Sequence, residues 1–476
     1  MKKITPDIIK KLKTAAGKGG WIEDAKSKAP FLSDERNLFK GQTDIILKPN
    51  STSAVAKIMR ICNKEKIGVV PQGGNTGYCG GSIPNSNGSE IIVALSRLNR
   101  IRDTDIPNNT MTVEAGCILA DIQKKAEEVD KLFPLSLGAE GNCQIGGNLA
   151  TNAGGIQVLR YGNARDLVLG LEAVLPNGEI FNGLKALRKN NTGYDLKQLF
   201  LGAEGTLGII TAATIKLYPR PNQKITAIVA LTSPINAVSL LSRLQSDVEG
   251  SVTSFEIFNR ACLDMVLEHI NGIRDPFSEP YHIYVLIEIS ATQPNLDIKN
   301  SLELELAKVL ETRDLLDAVI ASSETQSNDF WRLREDIPEA QKRAGGCIKH
   351  DISVPISKVS QFIDQATKHA RKSLKDIRVI AFGHIGDGNI HFNLTQPIGK
   401  NAKEFLTYAD NLSSDIHDIA MKLGGSFSAE HGIGVLKKPE LERYKSDVEQ
   451  DLMALIKGTF DPNNIMNPGK VVAPKN

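Results

Sequence analysis

Close-set cysteines are missing from this sequence. Its six (Cys62, Cys79, Cys117, Cys143, Cys262, Cys347) never come nearer than 17 positions, so no C-x-x-C pair exists for a structural zinc, a redox dithiol or an iron–sulfur cluster. An excess of either charge is missing too. The 57 Lys+Arg stand against 55 Asp+Glu, a formal +2, which argues against a nucleic-acid binder; 41% hydrophobic residues beside 24% charged ones argue against disorder. No window approaches the ~18 uninterrupted apolar residues of a membrane span. The opening Met1-Lys2-Lys3-Ile4-Thr5-Pro6-Asp7 leads into polar, lysine-rich sequence rather than an apolar signal core. These absences predict a cytoplasmic protein in a reducing compartment, with a peripheral place on a membrane left open.

What remains is a chain of 476 residues, room for two to four domains at roughly 100–200 residues each. Residues 1–37 read as a helical arm, opened by Pro6, carried by Ile8, Ile9 and Leu12, and stopped at Gly17 to Gly20. From Ile45 the pattern is strand, helix and strand, with Ser53 as the helix N-cap and Ile67 to Pro71 as the second strand. Short β-branched runs continue to Tyr218-Pro219, which sets a first domain at 38–219. Beyond Pro221, strand-like runs at 225–231 and 281–288 alternate with amphipathic helices near 235–247, 300–312 and 357–374. That predicts a second domain at 220–425, an antiparallel α+β sheet with helices on one face. A Gly- and Pro-rich segment at 426–476 follows. The fold class is α+β in this mixed α/β sense.

Glycine clusters in three places. Pro71-Gln72-Gly73-Gly74-Asn75-Thr76-Gly77 follows an apolar strand, where bare backbone N–H groups can meet a pyrophosphate. It is neither a Rossmann fingerprint nor a P-loop, and alone it is equally a tight turn. The run 138–155 holds Gly138, Gly141, Gly146, Gly147, Gly154 and Gly155 with few side chains to pack, and Gly202, Gly205 and Gly208 form a third cluster. Three such clusters favour close approach to a bound dinucleotide. The first loop, Ile145 to Gly155 and Glu204 to Thr211 resemble the FAD-binding domain of the vanillyl-alcohol oxidase / p-cresol methylhydroxylase superfamily. The resemblance implies a non-Rossmann FAD-binding domain of two subdomains, with contacts from Gly73, Gly74, Asn75, Thr76, Gly77, Gly138, Gly141, Gly146, Gly147, Asn152, Gly154, Gly205 and Ile210. Asn75 stands where some members attach flavin to a histidine, so the implied FAD is non-covalent.

The sharpest chemistry lies at Gly383-His384-Ile385-Gly386-Asp387-Gly388-Asn389-Ile390-His391-Phe392-Asn393. If Asp387-Gly388 is a two-residue hairpin turn, His384 faces His391 and Asn393 shares their face. Two imidazoles and a carboxylate, as in Glu430-His431 ahead of Gly432 and Gly434, suit Zn²⁺ or Mn²⁺ with coordination sites left open. An ordinary structural histidine pair and a surface ion pair are the alternatives.

With Trp331 to Glu335, Lys349 to Ser353 and Phe460 to Lys470, these segments resemble the D-2-hydroxyglutarate dehydrogenase, D-lactate dehydrogenase and glycolate oxidase group. The resemblance implies His384, His391 and Glu430 as metal ligands and His431 as the general base. It makes Arg334, Lys349, Asn393 and His431 substrate-binding. It also returns the C-terminal helical segment to the FAD site with Asn467. The implied enzyme is an FAD-dependent dehydrogenase of a small D-2-hydroxy acid, best D-2-hydroxyglutarate, with D-lactate dehydrogenase or a glycolate oxidase FAD subunit as alternative. Electrons would pass to a separate quinone, electron-transfer flavoprotein or cytochrome, and a homodimer is in keeping with the group. A reading from another class is a non-catalytic flavin-binding assembly subunit. One position departs: four residues after Arg334, where the hydroxyglutarate enzymes carry a hydroxyl, stands Pro338.

Overall fold

A computed structural model describes residues 4–475. The chain forms two compact units: residues 4–155, Gly162–Pro219 and 430–475 make the first, and Ile156–Tyr161 with Arg220–Ala429 the second.

The first unit carries two main sheets. One has four strands in the order Trp21–Ile22, Ile46–Leu47, Glu90–Ala94, Gly68–Gln72, the last three parallel. Gly68 to Val70 and all of Glu90–Ala94 are buried, as continuous apolar runs in a parallel sheet should be. The helix Thr52–Glu65 is capped by Ser51, whose side chain accepts from the Ala54 N–H, and not by Ser53; the helix begins two residues earlier than its apolar spacing suggests. The other sheet has five antiparallel strands built around Ile209–Lys216. The arm is not set apart from this unit. Its helix Pro6–Ala16 buries Ile8, Leu12 and Ala16, and the carbonyls of Pro30, Phe31 and Ser33 accept hydrogen bonds from Asn75 and Gln72. Near the other end, Asn467 N–H donates to the Val69 carbonyl and Val69 N–H to Ile465, which seats residues 465–467 along the strand Gly68–Gln72.

The second unit is an eight-stranded antiparallel sheet. Helices cover both its faces, not one. Along Gln223–Leu231, the residues Ala227, Val229 and Leu231 join a core with the helices Pro234–Asp247, Ile298–Glu311 and Val359–Ser373. Ile228 and Ala230 join a second core with Arg260–His269, Glu324–Glu335 and Ile337–Arg343. The unbroken apolar run at 227–231, unlike an alternating one, is the mark of burial on both faces. Residues 426–429 belong here and not to the first unit, because Ser426 and Ser353 exchange backbone hydrogen bonds and Ala429 N–H donates to the Asp351 carbonyl.

The histidine hairpin differs in register from the expectation. Strands Arg378–His384 and Asn389–Thr395 pair Phe382 with His391, so Ile385 to Gly388 form a four-residue loop. Asp387 and Gly388 each donate a backbone hydrogen bond within that loop, to His384 and Ile385. No described helix is long and apolar enough to cross a membrane.

Candidate active site

In the first unit the three glycine segments converge on one cleft, with about 980 Å³ of atom-free space counting its open mouth. Gly73, Gly74, Asn75, Thr76, Gly77, Gly146, Gly147, Gly205, Ile210 and His431 line it. The glycines there do different work. A Cβ on Gly74 would stand 2.2 Å from the Asn142 carbonyl oxygen, and one on Gly146 2.6 Å from the Ala115 Cβ, so these two are packing glycines. Gly205 needs its positive φ of 71° for a turn. Gly77 and Gly147 have neither reason: among the described residues no neighbouring atom lies within 4 Å of a built Cβ, and neither has positive φ. Gly138 and Gly141 are open in the same way but do not line the cleft. Two buried acceptors at the cleft wall, Gln72 Oε1 and Gln144 Oε1, have no hydrogen-bond partner among the described residues. Open glycines and orphaned acceptors are what a ligand with donors and a long polar backbone would complete, so the residues present fit FAD.

Asn75 turns its side chain into the protein. Its Nδ2 donates to the Ser33 carbonyl at 2.9 Å, and its Oδ1 accepts from Ser82 Oγ at 2.8 Å. Asn152 is committed likewise, its Oδ1 accepting from the Arg165 N–H. Gly154 makes room for Glu430, whose Oε1 would lie 2.5 Å from a Cβ there. Asn467 ties two loops together, Nδ2 donating to the Gly81 and Glu204 carbonyls. Glu204 in turn accepts from the backbone N–H groups of Ile433 and Gly434 at 2.7 and 2.8 Å, which fixes the turn after His431. Burial pushes the Glu204 carboxyl above its ordinary range against those two amides. The His431 ring meets Tyr78 edge to face at 4.9 Å, and Tyr78 carries the Arg36 guanidinium 3.8 Å over its own ring.

In the second unit, His384 and His391 lie on one face of the hairpin as diagonal neighbours, ring centroids 6.0 Å apart and a nitrogen of each within 4.8 Å of the other. Each has a buried carboxylate behind it. Glu256, opposite His384 across the strands, places Oε1 2.6 Å from its Nδ1, and Asp351 Oδ1 lies 3.9 Å from His391 Nδ1. At His384 the carboxylate on Nδ1 leaves Nε2 as the ligand atom, the usual arrangement behind a metal-binding histidine, whereas Asp351 stands beyond hydrogen-bond distance of His391 Nδ1; two rings this close, one of them so held, fit a divalent ion. The other Glu256 oxygen accepts from Arg334 Nε at 2.9 Å. Burial works to raise the Glu256 carboxyl, but the charges of His384 and Arg334 prevail and hold it below the ordinary carboxylate range.

Arg334 is a buried residue of the helix Glu324–Glu335. It is 6% exposed, stacked 4.7 Å over Phe382, and its two terminal nitrogens make no hydrogen bond among the described residues. Asn393 shares the histidine face, yet both ends of its amide are engaged: Oδ1 accepts from the His350 N–H, and Nδ2 donates to Gln341 Oε1. Lys349 is exposed in the link between the strands Cys347–Ile348 and Asp351–Ser353. Glu430 follows Ala429 as the first residue of the chain's return to the first unit.

Gln72, Gln144, Tyr78, Glu204, Asp351 and Glu256 were not singled out by the motifs. Gln72, Gln144, Glu204 and Asp351 lie inside the motif segments without being distinguished there, and Glu256 shows only as a lone carboxylate inside Phe255-Glu256-Ile257-Phe258.

The architecture is that of p-cresol methylhydroxylase, whose substrate-bound structure superposes with a TM-score of 0.75 over 98% of this chain and 96% of that one, at 15% identity. Residues 43–183 match an FAD binding domain, and residues 220–471 match the C-terminal domain of FAD linked oxidases. The chain belongs to the FAD-linked oxidases. It is 38% identical over 465 residues to the mitochondrial D-2-hydroxyglutarate dehydrogenase of Arabidopsis thaliana, covering 97% of this chain and 80% of that one. A mitochondrial Schizosaccharomyces pombe protein named for D-lactate dehydrogenase is 35% identical, covering 99% and 91%. These names overturn the cytoplasmic expectation: both relatives are mitochondrial enzymes.

Proposed function

We propose that the protein oxidises D-2-hydroxyglutarate to the 2-oxo acid with a non-covalent FAD as oxidant, assisted by a divalent metal, zinc or manganese. The observation that carries the reading is the similarity, over nearly its whole length, to an enzyme named D-2-hydroxyglutarate dehydrogenase. The site chemistry supports it. Bound FAD supplies a two-electron acceptor that no side chain here provides. Nitrogen and oxygen donors from His384, His391 and Glu430 suit a Lewis-acidic ion that lowers the pKa of the substrate hydroxyl. His431 takes the C2 hydroxyl proton on a ring nitrogen, and its edge contact with Tyr78 holds the imidazole plane. The terminal nitrogens of Arg334 grip a substrate carboxylate, because the guanidinium is already fixed by Glu256 and Phe382. Lys349 adds a second positive charge. Asn393 acts through the frame it braces, holding Gln341 and the His350 backbone.

D-lactate is the second reading, favoured by Pro338, which offers a second carboxylate no donor, and by the Schizosaccharomyces pombe relative. The deciding experiment is an anaerobic visible spectrum of the flavoprotein before and after D-2-hydroxyglutarate, D-lactate or glycolate. Bleaching by the dicarboxylic acid supports the first reading, bleaching by D-lactate alone the second, and a protein that takes up no FAD refutes both.

A further inference from the structure

Glu256 is 1% exposed and sits between Phe255 and Ile257 in the buried middle of the strand Ser251–Asn259. A buried carboxylate is costly unless both oxygens are used, and here each serves a different group: Oε1 contacts His384 Nδ1 at 2.6 Å, and Oε2 accepts from Arg334 Nε at 2.9 Å. The strand pairing sets one arm, since Glu256 and His384 are direct cross-strand partners. The helix Glu324–Glu335 sets the other by bringing Arg334 over Phe382.

We infer that Glu256 is a positioning residue that fixes two substrate-handling groups at once: it orients His384 Nε2 toward the metal and holds Arg334 at a set offset toward the substrate carboxylate. The inference rests on the metal and carboxylate roles proposed above. Its physical basis is the shared carboxylate. With Nε2 ligating, His384 must carry its proton on Nδ1 and donate it, and Glu256 Oε1 is the acceptor in place. Arg334 donates Nε to the same carboxylate, which leaves its two terminal nitrogens with no hydrogen bond among the described residues. One rigid group thus sets the spacing between the chelated end of the substrate and its carboxylate grip. Glutamine at 256 would keep the volume but offer a single acceptor, so it could serve His384 or Arg334 and not both.

The test compares the full-length flavoprotein with Glu256→Gln, Glu256→Asp and a control, Glu305→Gln. Glu305 is also 1% exposed and paired, to Arg243 and Lys308, but belongs to the helix Ile298–Glu311, which packs on the opposite face of the sheet. Zinc affinity is measured by competition with a chromogenic chelator, alongside FAD content, kcat and KM. Glu256→Gln is expected to weaken zinc binding roughly 10- to 100-fold, the usual cost of losing a carboxylate behind a ligating histidine, and to raise KM for the hydroxy acid with FAD content unchanged. Glu256→Asp should recover part of the zinc affinity, and it serves as the readable variant where the glutamine variant does not fold. Glu305→Gln should lower the melting temperature without moving zinc affinity. Wild-type zinc affinity in both Glu256 variants would overturn the inference while leaving the metal reading intact. A wild-type protein that binds no divalent metal would overturn the reading beneath it, and the inference with it.

Discussion

Two adjacent glycines, Gly146 and Gly147, give opposite predictions from the same substitution. Both lie in the helix Ile145–Ala150 and neither has positive φ, so alanine fits the backbone at each. At 146 the new Cβ stands 2.6 Å from the Ala115 Cβ and 3.0 Å from the Ala115 carbonyl oxygen, both well inside contact distance. Overpacking of this kind costs about 1–3 kcal/mol, so Gly146→Ala destabilises the apoprotein. At 147 no neighbouring atom among the described residues lies within 4 Å. Gly147→Ala then only restricts the unfolded chain, and the apoprotein gains about 0.4–1 kcal/mol. The same methyl projects into the cofactor cleft, so FAD binding weakens at least tenfold, about 1.4 kcal/mol. The assay pairs guanidinium denaturation of each apoprotein with an FAD titration followed by quenching of flavin fluorescence. Unaltered FAD affinity in Gly147→Ala, or a loss of its apoprotein stability like that at 146, would refute the division of the glycines into packing and ligand-facing ones.

Other positions give shorter tests. Lys457, 1% exposed, donates to the carbonyls of Thr206 and Met466 and to Asp461 Oδ2; Lys457→Met strands a buried carboxylate and should cost about 3–5 kcal/mol in urea unfolding. Burial lowers Lys470 to about 8 against the pull of Glu90 and Glu204. Above that pH the unfolded chain keeps a proton that the folded one has released, so stability should rise between about pH 8 and 10, by roughly 1.4 kcal/mol per unit at most. In Lys470→Met that rise should shrink, and urea midpoints at the two pH values measure it. Asn393→Ala leaves the buried Gln341 and His350 groups without their partner and should lower stability by about 1–3 kcal/mol. A selective rise in KM at unchanged melting temperature would instead return Asn393 to direct substrate contact.

The cofactor loops were legible because glycine leaves its mark in the sequence itself. Pro71 to Gly77 and Ile145 to Gly155 stand out without any knowledge of neighbours. Which of their glycines face a ligand was not legible, since that depends on Ala115 and Asn142, distant partners that no local pattern names. The helices of the second unit were readable from their period. Their distribution over both sheet faces was available in the run Ala227 to Leu231, where the absence of alternation, more than the apolar content, is the signal. The division of the chain near 426–430 was set by Ser353 and Ser426, whose pairing spans more than seventy residues and leaves no local trace.

The histidine hairpin shows why one kind of error is harmless and another is not. Taking Asp387-Gly388 as a two-residue turn misplaces the pairing by two positions, yet His384 and His391 still share a face, because side chains alternate with period two and a shift of two restores the parity. A shift of one would have sent the two rings to opposite sides. The carboxylate behind them is different in kind. Glu256 precedes His384 by 128 residues, and its place is decided by which strand the sheet sets beside Arg378–His384, a matter of topology that hydrophobic period does not encode. The motif therefore names the groups that meet the ligand, and the sheet order supplies the buried charge that aims them.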